Sequence, residues 1–497
     1  MKIKIINPKR EKFQDGRMEF WEFGFMATTA GLGTRKYSGT PLALPILSSL
    51  IPPHYDTKVI DENIENIDFD SETDLVLLTF FTTSATRGYQ IADEFRKRNV
   101  KVIIGGCHVS MDPDNAIKHA DAIAIGEAEA LIAKILEDFS NGNLQQFYTV
   151  EESERPNLEN VPIPHYHKLK LDNYFNPTIQ TMRGCPMKCD FCTVRAYWGA
   201  KYRYKPIDKV VEEISFLRKH FGRNTFIMLT DDDIAANLTR SKELFKALIP
   251  LEIQWMSQGS MAMARDDEYL DLMVQSGGSR IIMGFESISE KNLKEMQKNP
   301  NNRLADFISN AKKIQSYGIA IIGAFVFGFD NDDETCFENS ANFIVDNCIA
   351  LPQLFALTPF PGTTLTKRLE EEGRIISKDW KYYTGSTVQF RPKLMSVEEL
   401  ERGYYWTIQN VYSYKNIWKR LTGLWDLWDK YAKRPEHVLL KEKIDVILLN
   451  ENFRACAYSY TLQYKVNTIE EKHYQKELNK LLKKFLNQRT EILTQAS

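Results

Sequence analysis

Twice along this chain, short aliphatic runs alternate with stretches of helical period, and no other feature restricts the fold as much. Runs such as LVLLTF (75–80) and VKVIIGG (100–106) carry no polar alternation, the pattern of strands covered on both faces. With KIKIIN, TKVID and DAIAIGE as further strand candidates, the apolar stretch PLALPILSSLI, and helical periods near 89–98 and 130–139, residues 1–150 read as a doubly wound parallel sheet. Residues 151–177 are rich in proline and polar residues, hold no period and read as a linker. The rhythm resumes at TIQTMRG and passes through TFIMLTDDD, IQWMSQGS, RIIMGFES, IAIIGAFVFGF and PQLFALTPF, each followed or preceded by a helical pattern. Residues 178–378 therefore suit a partial or complete (β/α) barrel, whose chemistry gathers at the carboxyl ends of its strands. From 379 to 497 the pattern turns helical and aromatic, as expected of a separate C-terminal cap. The chain is α/β overall, and 497 residues exceed what one hydrophobic core holds.

Composition narrows the class. A formal net charge of −2 supplies no basic excess for nucleic acid, and no run of about 18 uncharged apolar residues is present. The opening MKIKIINPKREK lacks the apolar core of a signal peptide, so a cytoplasmic protein is expected. Seven cysteines, three of them within eight positions, do not form a disulfide framework. Cys107, Cys336, Cys348 and Cys456 sit among apolar neighbours and read as small buried hydrophobes.

The other three, Cys185, Cys189 and Cys192, follow a strand candidate as C-x-x-x-C-x-x-C, so that one loop can wrap three thiolates around one metal centre. A structural zinc would want a fourth cysteine or histidine at similar spacing, and the next histidine is His220. An iron–sulfur cube with three protein ligands leaves one iron open.

This spacing, with Phe191 before the last cysteine, resembles the signature of the radical S-adenosylmethionine superfamily. The resemblance implies a [4Fe-4S] cluster on Cys185, Cys189 and Cys192, with S-adenosylmethionine chelated at the open iron. It also implies a 5′-deoxyadenosyl radical made with an electron from an external donor such as flavodoxin or ferredoxin. Along the barrel, Asp231, Asp232 and Asp233 stand where the superfamily commonly has Gly-Gly-Glu on the methionine amine. Acidic triplets are familiar in its cobalamin-linked branch; the competing reading is a helix cap. Gln258, Ser260 and Glu286 occupy the next strand ends, where relatives contact the ribose and carboxylate of the cofactor. Gly323, Gly328 and the turn at 358–363 resemble the adenine side, with close packing as the alternative.

In residues 1–150 no G-x-G-x-x-G follows the first strand, which argues against a dinucleotide site. Polar residues mark three strand ends instead: Thr79, Thr82, Thr83 and Ser84; Gly105, Gly106 and His108; Gly126 and Glu127. The set resembles the cobalamin-binding domain of one branch of the superfamily, and the Asp-x-His-x-x-Gly motif of other cobalamin proteins is absent. The resemblance thus implies cobalamin without a histidine on cobalt, while a plain strand-end role for His108 and a scaffold without cobalamin stay open.

The leading expectation is methylation of an unactivated carbon on a small-molecule or lipid substrate. Radical bond formation, cyclisation or rearrangement without methyl transfer is the second reading, and a non-catalytic cobalamin or redox sensor the third. The sequence marks no catalytic side chain. Trp and Tyr in KNIWKRLTGLWDLWDKY read as core of the cap helices in preference to a peripheral membrane contact.

Overall fold

Six strands, β1 (Lys2–Asn7), β2 (Asp56–Asp61), β3 (Leu75–Thr79), β4 (Lys101–Gly105), β5 (Ala122–Ile125) and β6 (Phe147–Thr149), pair in parallel in the order β2-β1-β3-β4-β5-β6. Every residue of β3 is buried, as its unbroken aliphatic run requires. Helices Ala43–Leu50, Ala85–Lys97 and Ala128–Ser140 connect them, and the second turns Ala85, Gly88, Tyr89, Ile91, Ala92 and Phe95 inward at helical spacing. This doubly wound sheet, in a computed structural model that describes residues 1–10, 37–222, 225–296, 304–459 and 468–495, belongs to the first of two compact units. That unit holds the N-terminal strand, Lys36–Asp232 and Thr358–Thr384; the second holds Asp233–Leu357 and Gly385–Ser497.

The stretch 151–177 is a succession of short 3₁₀ turns, which is why it shows no period, yet it is packed. Leu158, Val161, Tyr166, Leu169, Leu171 and Tyr174 are buried, and the Tyr174 hydroxyl donates to Asp61 Oδ2 at 2.7 Å. The run TIQTMRG, which reads as one strand, is two: β7 (Thr178–Ile179) and β8 (Met182–Arg183). The N–H groups of Thr181 and Met182 go to the Asp231 carboxylate, so the ladder breaks there. β8 turns antiparallel to β9 (Arg203–Tyr204), and β7 pairs in parallel with β10 (Phe226–Leu229).

In the second unit, β11 (Gln254–Gln258), β12 (Gly278–Glu286), β13 (Ala320–Phe327) and β14 (Leu351–Ala356) form a parallel run alternating with helices Asp267–Gln275, Leu304–Ser316 and Thr335–Asp346. Phe285 stacks on Phe325 with ring centroids 5.0 Å apart, and Phe307 and Phe343 meet that pair edge-on. Four further helices follow, Val397–Val411, Tyr414–Tyr431, Glu436–Ser459 and Ile469–Gln495, the first opened by a capping box of Ser396 and Glu399. The run NTIEEKHYQKELNKLLKKFLNQR, whose lysine-rich pattern predicts an amphipathic surface helix, forms the last of them; its first residue, Asn467, lies outside the described residues. In the aromatic stretch Trp425 and Trp428 are buried in the core, Trp418 is half-buried and Tyr431 is at the surface. Among the described residues no helix is long and apolar enough to cross a membrane.

Candidate active site

The loop carrying the cysteines is closed at its base. Gly184 has φ +90°, and a Cβ there would lie 2.1 Å from the Lys201 carbonyl oxygen, so only glycine lets the strands meet. The Cys185 N–H donates to Gly199 O at 3.1 Å, and the Cys192 N–H to Cys189 O at 3.2 Å, folding the three half-buried thiols into one turn. Helix Thr193–Trp198 starts immediately after Cys192. From helix Thr364–Glu371, which follows the turn at 358–363, Leu365 N donates to Asp190 O inside the loop at 2.9 Å.

Carboxylates anchor this base. Asp231 is fully buried and accepts from Thr181 N (2.6 Å), Thr181 Oγ1 (2.6 Å) and Met182 N (3.1 Å). Asp232 accepts from Gly184 N at 3.0 Å. Two members of the acidic triplet thus shape the backbone that presents Cys185. Glu127, with a fully buried side chain, accepts from Arg183 Nη1 (2.6 Å), Arg203 Nη2 (2.6 Å) and Arg155 Nη1 (3.2 Å). The other nitrogen of the Arg183 fork reaches Glu129 at 2.7 Å, and its guanidinium lies 4.6 Å over the Trp198 ring. Burial alone would raise the Glu129 carboxyl, but Arg183 outweighs it and holds it below the usual carboxylate range.

A cavity opens at the carboxyl edge of the first sheet. Its depth is apolar, with Ile46, Leu77, Ile103, Ala124 and Ile132; its rim holds Thr79, Gly105, Gly106, Gly126 and Glu127; and Arg183, Tyr197 and Trp198 complete the wall. Gly106 (φ +101°) has the Thr79 hydroxyl 2.8 Å from where a Cβ would stand, which keeps the rim open only for glycine. Thr82 and Thr83 line a second opening with Cys107, Thr193, Phe360 and Tyr383, and Thr83 Oγ1 is buried with no hydrogen-bond partner among the described residues. Ser84 is buried. His108 is fully buried: Tyr89 Oη lies 3.0 Å from Nε2 and Thr82 Oγ1 3.2 Å from Nδ1, and burial pushes the imidazole down to about 4. Both its ring nitrogens are taken.

In the second unit, Asp233 Oδ1 accepts from Ala235 N (3.0 Å) and Ser260 N (2.9 Å), drawing the end of β11 toward the segment that follows the triplet. Gln258 and Ser260 are exposed there. Glu286 has φ +61°, and the β12–β13 register slips between Gly284 and Glu286. A glutamate in the left-handed region beside a bulge is the kind of strain that accumulates at ligand sites. Asp332 accepts from Gly328 N (2.9 Å), Phe329 N (3.0 Å) and Asn292 Nδ2 (2.6 Å), holding the loop after β13. Burial raises its carboxyl to about 6 despite those bonds. Gly323 is enclosed by Phe285, Phe325 and Ile349, so packing alone calls for glycine there.

Residues 179–344 match the model of the radical SAM superfamily, and residues 363–486 that of a domain of unknown function (DUF4070). Over 394 residues the chain is 30% identical to the bacteriochlorophyllide d C-12(1)-methyltransferase of Chlorobaculum tepidum, covering 77% of this chain and 85% of the relative. The chain belongs to the radical S-adenosylmethionine superfamily. The bacteriochlorophyllide d C-8(2)-methyltransferase of the same organism is 29% identical over 395 residues, 76% of this chain and 86% of the relative. The fold is shared with the radical S-adenosylmethionine methyltransferase TsrM of Kitasatospora setae at a TM-score of 0.62 and 13% identity, covering 93% of this chain and 99% of that one.

For a radical S-adenosylmethionine enzyme the donor set fits. Three half-buried thiols share one closed loop, and thiolates are the ligands that iron–sulfur clusters take. Sequence reasoning missed Arg183, Glu129, Arg155, Arg203 and Asp332. Arg183 adjoins the motif in RGCP, but Arg155 and Arg203 carry no local signal, because only tertiary folding brings them to Glu127.

Proposed function

We propose that this enzyme methylates an unactivated carbon of a small-molecule or lipid substrate, with cobalamin as methyl carrier. The observation that carries the reading is the apolar cavity at the carboxyl edge of the first sheet, rimmed by five of the strand-end residues singled out above. Two relatives covered over most of their length are named as methyltransferases of bacteriochlorophyllide d, and a more distant one as a hopanoid C-2 methylase. When bound, the cluster and S-adenosylmethionine supply a carbon-centred radical and cobalamin supplies the methyl group.

The chain's own residues would divide as follows. Cys185, Cys189 and Cys192 hold the cluster, and Asp231 and Asp232 fix the backbone that leads into them. Asp233, Gln258, Ser260 and Glu286 are proposed to hold S-adenosylmethionine, a carboxylate facing its ammonium group in a charge-assisted hydrogen bond. Thr79, Gly105, Gly106 and Gly126 form the cobalamin rim, and His108 stays off cobalt because both ring nitrogens are engaged. The proposed division is a cobalamin domain at 1–150, a connecting stretch at 151–177, a barrel at 178–378 and a helical domain at 379–497, in a cytoplasmic protein served by a flavodoxin or ferredoxin donor.

A second reading keeps the radical step without methyl transfer. It is favoured by a relative at 24% identity named as an anaerobic magnesium-protoporphyrin IX monomethyl ester cyclase. Anaerobic incubation of the reconstituted enzyme with methyl-labelled S-adenosylmethionine and cell extract separates the two. A labelled product one methylene heavier than its precursor supports methylation, and 5′-deoxyadenosine with an unlabelled product supports the second reading.

A further inference from the structure

We propose that the cluster and the occupant of the first-unit cavity stabilise one another, with Glu127 as the positioning residue that couples them. The proposal rests on the cobalamin reading above. Both flanks of the cluster loop line the cavity: Arg183 stands two residues before Cys185, and Tyr197 and Trp198 end the helix that begins right after Cys192. Glu127 sits on the cavity's rim and grips the loop at its base, taking Arg183 from the strand that enters and Arg203 from the strand that leaves.

Three acids, Glu127, Glu129 and Glu152, face three bases, Arg155, Arg183 and Arg203, in this cluster. Arg183 keeps Glu129 and Arg155 keeps Glu152 if Glu127 is neutralised, whereas Arg203 keeps the carbonyls of Pro156 and Trp198. A molecule filling the cavity packs against both flanks of the loop, and a cluster ties together the cysteines between them. Each therefore removes part of the ordering cost of the other, which is a coupling free energy and is reciprocal.

The test uses the full-length protein under anaerobic conditions, with its cluster and after iron removal by chelator. Titrated with hydroxocobalamin, the wild type should bind about tenfold more tightly when the cluster is present, and should retain iron against a competing chelator about tenfold better when cobalamin is present. Cobalamin should also change the paramagnetic resonance line shape of the reduced cluster. In Glu127→Gln both ligands should still bind, with the coupling lost and the line shape no longer responsive. Arg183→Lys keeps the charge but not the fork that reaches both Glu127 and Glu129, so it should lose part of the coupling, and it decides the matter if Glu127→Gln does not fold. Equal affinity in the two wild-type forms overturns the proposal while leaving the cobalamin reading intact. Coupling undiminished in the variants overturns the role of Glu127. Absence of cobalamin binding to either form overturns both the cobalamin reading and the coupling.

Discussion

Replacing Asp231 by Ala tests whether the first residue of the acidic triplet serves the fold or the cofactor. Its carboxylate is fully buried and is the acceptor for two buried N–H groups, those of Thr181 and Met182, and for the Thr181 hydroxyl. The hydroxyl can turn to another partner, but the N–H groups cannot, and each buried donor left without an acceptor costs about 1–3 kcal/mol. Two of them give about 4 kcal/mol in total, which for a unit of this size lowers Tm by roughly 8–16 °C. The break between β7 and β8 is built on the same bonds, so the loop that starts at Gly184 should lose its anchor and iron content should fall with Tm. Asp231→Asn keeps one acceptor for the N–H groups and lets the Thr181 hydroxyl accept from the new amide, so its loss should be well under half as large. Thermal unfolding of the anaerobically reconstituted variants, with iron and sulfide assays and S-adenosylmethionine titrations alongside, checks this. Wild-type Tm and iron content in Asp231→Ala, with S-adenosylmethionine affinity alone reduced, would refute the reasoning and return Asp231 to the cofactor.

Removing one thiol by Cys189→Ala should abolish the cluster, and iron and sulfide contents equal to wild type in that variant would contradict the ligand assignment. Glu286→Gln should weaken S-adenosylmethionine about tenfold without lowering Tm, because the strained backbone is unchanged while the charge is gone; calorimetric titration measures it, and unchanged affinity would shift the residue away from the cofactor. His108 has a folded-state pKa of about 4, below the ordinary histidine value, so the unfolded chain takes up a proton first as the pH falls. Its contribution is fully present above about pH 6.5 and is lost as the pH drops toward 4, amounting to about 3 kcal/mol. Denaturant titrations across that window should show the loss in wild type and its reduction in His108→Gln; parallel curves for the two proteins would speak against it. Paramagnetic resonance of the cob(II)alamin form should lack nitrogen superhyperfine splitting from a histidine, since Tyr89 and Thr82 occupy both nitrogens of His108.

Local chemistry carried much of this protein's identity. The spacing of Cys185, Cys189 and Cys192 and the aliphatic runs of β1, β3 and β4 are properties of neighbouring residues, so a radical S-adenosylmethionine enzyme of parallel α/β build was legible from them. The polar strand ends were legible for the same reason, and five of them do line one cavity. What each carboxylate does was not. Asp231, Asp232 and Asp233 look equivalent in TFIMLTDDD, but the first is spent on Thr181 and Met182, the second reaches Gly184, and the third meets Ser260. The strain at Glu286 and the bulge beside it depend on register against β13, which periodicity does not report. Above all, the grip of Glu127 on Arg155, Arg183 and Arg203 joins residues up to 76 positions apart. A buried charge must find its counter-charge wherever the folded chain brings one, and that choice is made only when the tertiary structure closes.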